Sequence, residues 1–453
     1  MRKNFILAMV LAAGFALGLG GAVNAEIVMI DSLDYGDVVH TTDWHPDGSY
    51  LAVGGNGPTG GNELQIYGFD GSALSPVVVV DYGFAVFSVA WSPNGSYLAV
   101  GGNGPIGGNE LQVYSFNGSA LALVDFKDYG NTVNSVAWSP DGSYLAIGGQ
   151  TPLGGEVMQV YSFDGSTLTL RDEVNYGVTI YSLAWSPDGS YLAAGGRVPT
   201  DGNELHVYSF NGSALALVDS ENYGDTVRSI SWRRDGSYLS IGGFEPTNLD
   251  ELQIYSFNGT TLLLVDSVDY TDYIFSAPWI PYTDEYIAVG GRIDNTLKVY
   301  SFDGSSLALD DSTDNGQRIN SLSWDSGDGY LALGDNDGNL KIFLTEYEPS
   351  NDEDIDEEDT AYYASGDKTP VRYCPVTTAA YGTPMHEKIR VLAEFRDEYL
   401  LTNKAGQALV RSYYRHGPEV AGFISDKESL KTMTRCGLKP LIWIANKTKR
   451  EID

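Results

Sequence analysis

Ala90-Trp-Ser-Pro-Asn-Gly-Ser-Tyr-Leu-Ala-Val-Gly-Gly102 recurs as Ala137-Trp-Ser-Pro-Asp-Gly-Ser-Tyr-Leu-Ala-Ile-Gly-Gly149 and as Ala184-Trp-Ser-Pro-Asp-Gly-Ser-Tyr-Leu-Ala-Ala-Gly-Gly196. The tryptophans that head this unit are Trp44, Trp91, Trp138, Trp185, Trp232, Trp279 and Trp324, spaced 47, 47, 47, 47, 47 and 45 residues apart. The chain therefore carries seven copies of one unit, and a fixed period in this range belongs to units that bury their faces by stacking on one another.

Within the third copy, Val133 to Trp138 alternates and stops at Pro140-Asp-Gly142, which predicts a first strand and its turn. Tyr144 to Gly148 predicts a buried second strand, and Val157 to Phe163 an alternating third. A tight turn at Asp164-Gly165 leads to a fourth from Leu168 toward Asn175-Tyr-Gly177. Four short antiparallel strands make one blade, so the expected fold is all-β, a seven-bladed β-propeller over residues 26–347. Ile27-Val-Met-Ile-Asp31 lines up with Leu121-Ala-Leu-Val-Asp125, a fourth strand, yet no blade precedes it. The seventh copy ends after Leu340-Lys-Ile-Phe-Leu344 without a fourth strand. The N-terminal segment is thus expected to complete the last blade and remove an open edge.

Outside the array, Arg2 and Lys3 precede an apolar run, Phe5 to Val23, that ends in Val23-Asn-Ala25, which reads as a secretory leader over residues 1–25. The alternative is an uncleaved membrane anchor. Nine acids between Glu346 and Asp359 mark a solvated linker (348–368), and residues 369–453 predict a small helical domain. Residues 1–367 hold 12 Lys+Arg against 51 Asp+Glu, a balance of −39, whereas 368–453 hold 15 against 9, a balance of +6. So acidic a body disfavours nucleic acid as a partner. The two cysteines, Cys374 and Cys436, both lie in the C-terminal block; a bridge between them would be checked by thiol titration.

The Trp-Ser-Pro-Asp-Gly-x-Tyr-Leu-Ala-x-Gly-Gly core followed by Leu-Gln-Val-Tyr resembles the WD-repeat family, with Tyr-Ser or Tyr-Gly where that family ends its third strand Trp-Asp. No Gly-His precedes the first strands; Asp128-Tyr-Gly130 and Asn222-Tyr-Gly224 occupy its place. Blade cohesion is therefore expected to lean on aromatic packing rather than on the family's His-Asp relay. The C-terminal block resembles the CFI-box domain of bacterial envelope proteins through Cys374-Pro-Val-Thr-Thr-Ala-Ala-Tyr-Gly-Thr-Pro-Met385, Phe395-Arg-Asp-Glu-Tyr-Leu-Leu-Thr-Asn403 and Tyr413-Tyr-Arg415. That resemblance implies sorting or tethering, with Cys374, Tyr381 and Gly382 as the motif residues. The apolar run Leu438 to Ala445 is too short to span a bilayer.

Alignment of the seven copies isolates one free position after an invariant Val or Ile: His40, Phe87, Asn134, Tyr181, Arg228, Phe275 and Asn320. All are expected at the start of the innermost strand, ringing one mouth of the central channel. The WD-repeat resemblance implies that partners are gripped there. The loops that begin Asn56-Gly-Pro-Thr59, Arg197-Val-Pro-Thr200 and Phe244-Glu-Pro-Thr247 vary as well and open onto the same face. Three aromatics and an arginine are the residue types that carry interface energy.

No catalytic, metal or cofactor pattern is legible: His40, His45, His206, His386 and His416 are scattered without ligand spacing, and no nucleophile triad or phosphate loop occurs. Asp335-Asn-Asp-Gly-Asn339 reads as a hairpin turn rather than a calcium loop. The expected protein is an exported, monomeric, non-enzymatic scaffold of the periplasm, cell envelope or exterior, binding a protein or peptide. A lectin-like propeller with aromatic platforms repeated in every blade is the alternative, and a propeller hydrolase or lyase stands behind it.

Overall fold

The computed structural model describes residues 27–345 apart from 58–60, 105–107, 151–156, 198–201, 245–249, 272, 282, 293–294 and 328. The leader at 1–25, the acidic linker and the helical C-terminal domain with Cys374, Tyr381 and Gly382 lie outside the described residues.

Twenty-eight strands, β1 to β28 along the chain, form seven four-stranded antiparallel sheets. The third blade is representative, with β10 (Val133–Trp138), β11 (Tyr144–Gly149), β12 (Met158–Phe163) and β13 (Leu168–Val174) in spatial order. Burial grades across it. β11, with a neighbour on each side, is buried from Leu145 to Gly149, whereas β13 on the outer edge is largely exposed. This is why the second strand of each copy reads as a continuous apolar run and the fourth does not. The sixth blade departs from the pattern: its inner strand β22 (Ile274–Ser276) is short because Pro278 offers no N–H to the ladder.

Closure follows the expected route. β1 (Ile27–Asp34) pairs with β28 (Asn339–Thr345), Ile27 opposite Thr345 and Asp34 opposite Asn339, completing the sheet β1-β28-β27-β26. The Ile27 N–H also donates to Asp311 Oδ2 at 3.0 Å, fastening the seventh blade to the sixth.

Three kinds of contact join the blades. First, a ring of hydroxyls runs around the channel: the Ser or Thr after each free position accepts the N–H of the next inner strand, from Val89 N–H to Thr41 Oγ1 (3.3 Å) round to Thr42 N–H to Ser321 Oγ (2.9 Å). Second, the aromatics interlock. In the third blade the Phe163 ring stands edge-on to Trp138 (5.3 Å) and to Tyr97 of the preceding blade (4.9 Å), and Tyr97 Oη donates to Gly165 O at 3.1 Å. This bears out the expectation of aromatic cohesion.

The third contact replaces the missing relay. The tyrosine of each Asp/Asn-Tyr-Gly motif is buried, and its hydroxyl donates to the carbonyl at the head of its own blade's third strand, as from Tyr129 to Val157 O at 2.6 Å. Where a glutamate stands at that head, its carboxylate accepts the Tyr-Gly backbone of the following blade. Glu204 Oε2 holds Tyr223 N–H (3.0 Å) and Gly224 N–H (2.9 Å) in this way.

Candidate partner-binding face

The residues at the free positions sit second or third in the seven inner strands: β2 (Val39–Trp44), β6 (Val86–Trp91), β10, β14 (Thr179–Trp185), β18 (Thr226–Trp232), β22 and β26 (Ile319–Trp324). In every blade the register against the second strand slips at that residue: Val39 pairs with Gly55 and Thr41 with Gly54, which leaves His40 as the extra residue of a β-bulge. The same slip isolates Phe87, Asn134, Tyr181, Arg228, Phe275 and Asn320. A bulge re-aims its side chain out of the pleat. Seven bulges therefore free seven side chains from the packing rules that hold the rest of the unit constant. All seven are half-buried.

Their surroundings divide the rim. The His40 Nε2–H donates to Asn56 Oδ1 at 2.8 Å, and the ring lies 4.9 Å from Phe87. Burial, opposed by Asn56 and reinforced by Arg318, holds the His40 pKa below the ordinary imidazole value. Asn134 Nδ2 donates to Ile180 O (2.9 Å) and Asn320 Nδ2 to Val39 O (2.8 Å), so both amides cap the neighbouring blade. On the other side of the rim, the Arg228 guanidinium lies 3.7 Å over the Tyr181 ring and 5.4 and 5.9 Å from those of Phe244 and Phe275. Arg318 lies 5.0 Å from Phe275, and Arg292 4.8 Å from Tyr273. Burial lowers the pKa of both Arg228 and Arg318, and the nearby Arg318 and Arg292, respectively, lower them further.

The structure thus joins Tyr181, Arg228 and Phe275 in one cluster and His40 and Phe87 in another. Of the variable loops, Asn56, Arg197 and Phe244 reach the same face, while the Pro-Thr portions lie outside the described residues. Sequence reasoning did not single out Tyr273, Arg292 and Arg318. Their signal is departure from the repeat: Tyr273 and Arg318 stand where other copies carry Val38, Ala85 and Thr132.

The opposite face repeats its turns. Asp141 and Asp188 each accept a serine hydroxyl and a backbone N–H, which holds both carboxyls below the usual range despite some burial. The seven motif tryptophans are 4–9% exposed, so none presents its ring as a sugar platform. Asp335 Oδ1 accepts the N–H groups of Asp337 and Asn339, which makes Asp335–Asn339 a hydrogen-bonded turn.

Among known proteins, the family described as "Eukaryotic translation initiation factor eIF2A" matches residues 55–224, from the first blade to the end of the fourth. No curated protein matches the chain. Of the solved structures that do, one titled "Crystal Structure of Mitotic Checkpoint Complex" aligns with TM-score 0.58 and 20% identity, over 72% of this chain and 94% of its own. Matches extend to 1504 chains, an architecture too widely shared to carry a function by itself. What these likenesses establish is a WD40-type seven-bladed β-propeller.

Proposed function

We propose that the protein is a non-enzymatic interaction scaffold whose rim of His40, Phe87, Asn134, Tyr181, Arg228, Phe275 and Asn320 grips a protein or peptide partner. One observation carries the reading: bulges in all seven blades aim a varied set of side chains at one rim, while the opposite face repeats an Asp/Asn-Gly-Ser turn through the first five blades. Unlike residues around a pseudo-symmetric ring suit one composite site rather than seven equivalent ones. The described histidines support a role without chemistry, since each is engaged locally: His40 with Asn56, His45 with Asp47 and Gly95 O, His206 with Tyr208. Export and tethering through Cys374, Tyr381 and Gly382 rest on the sequence alone. N-terminal sequencing of the exported chain tests the first, with Glu26 as the expected start.

The test of the scaffold is an affinity capture from envelope extract with the full chain. A matched bait carries Phe87→Ser, Tyr181→Ser, Arg228→Ala and Phe275→Ser. A protein retained by the parent and lost from the variant, with equal thermal stability of the two baits, is the expected result. Equal retention by both baits sinks the reading.

A further inference from the structure

The rim is not uniform in charge. Between residues 27 and 345 the chain has ten basic side chains, and four of them, Arg197, Arg228, Arg292 and Arg318, stand on this face in blades four to seven. Arg197 faces Asp225 at 3.6 Å. The other three have no carboxylate within ion-pair distance among the described residues. Arg228 Nε is buried without a hydrogen-bond partner, and its guanidinium face is taken by Tyr181. A guanidinium stacked on one face still offers its in-plane N–H donors, which match a carboxylate in fork geometry. Like charges held together in a half-buried site repel unless a counter-charge arrives. In so acidic a body, a rim sector with three arginines that meet no carboxylate among the described residues has the charge of a receptor for anions. The aromatics between them, Phe244, Tyr273 and Phe275, supply apolar contact that an inorganic ion would not use.

We infer that blades four to seven form an anchor for an acidic peptide segment, its carboxylates on Arg228, Arg318 and Arg292 and its apolar side chains on Phe244, Tyr273 and Phe275. This rests on the scaffold reading above and names the class of partner. Blades one to three carry Asn103 and Asn134, and Asn56 there donates to Asp37 Oδ1 at 3.5 Å, so this side of the rim lacks the arginines that would hold a carboxylate.

The experiment is fluorescence anisotropy of the full chain with a short labelled peptide alternating Glu and Tyr. Its Gln-Tyr counterpart and a single-stranded oligouridylate serve as the other probes. The acidic peptide is expected to bind. Arg228→Gln and Arg318→Gln should each weaken it at least about tenfold, Arg318→Lys less, and Arg171→Gln on the outer strand of blade three not at all. Unchanged melting temperatures guard against a folding defect, and Arg318→Gln serves where Arg228→Gln fails to fold. Equal binding of the Gln-Tyr peptide, no binding of the acidic one, or insensitivity to both arginine variants overturns the inference. Tighter binding of the oligouridylate through the same arginines overturns it in favour of nucleic acid. The scaffold reading fails separately, only if the four-residue variant retains the captured partner.

Discussion

Asp43 is the one carboxylate in a column that reads Ala90, Ala137 and Ala184 in the following copies. Its Oδ2 accepts the Trp91 N–H at 2.7 Å, yet burial outweighs that bond and pushes the carboxyl up to about 7. The folded-state pKa thus lies above the unfolded one. The folded state bears no penalty below the unfolded value, and stability falls as pH rises from there to about 7. Asp43→Asn keeps an acceptor and removes the charge. It should be more stable than the parent by roughly 1–3 kcal/mol near pH 8 and indistinguishable near pH 4; urea melts at the two pH values measure this. The substitution column is visible in the sequence, but the burial that gives it meaning is not. The same holds for the paired glycines in the second strands of the first six blades: a Cβ on Gly195 would meet Val227 Cγ1 at 2.3 Å, a residue of the next blade.

At the scale of the strand, the repeated Val/Ile-x-Ser/Thr pattern holds two functions in three residues. The first packs the blade, the second is released by the bulge, and the third ties the strand to its neighbour. Ser135 Oγ accepts Leu183 N–H at 3.0 Å across 48 residues of sequence. Ser135→Ala leaves that buried donor unpaired and should cost about 1–2 kcal/mol. Ser135→Thr should cost far less, because Thr41 already fills the same place for Val89 N–H; thermal melts of the two variants decide the point. Strands and turns were legible because their cues are local: alternation, Asp-Gly and Asn-Gly. The tyrosine-to-carbonyl clasp and the bulges were not, since each depends on residues brought together from neighbouring strands or blades.

At the scale of the molecule, the ring closes through β1, a conclusion the sequence already carried in the misplaced outer strand at its start. Removal of residues 27–34 would expose the β28 edge and free Asp311 from Ile27. A lowered, broadened calorimetric transition and self-association on size exclusion are expected, whereas a cooperative monomer of parental stability would contradict closure through this strand. The ring also fixes which side chains share a face, and here the sequence went only partway: it identified the seven free positions, Arg228 among them, but not Arg292 and Arg318, which the repeat alignment assigns to other columns. Above all, partners are expected to meet the bulged rim. Photo-crosslinking tests it most directly, with benzoylphenylalanine in place of Phe87 or Phe275 on the rim and of Ser96 or Ser190 in the opposite turns. Adducts from the two rim positions alone are predicted; adducts from Ser96 or Ser190 with none from the rim would contradict it.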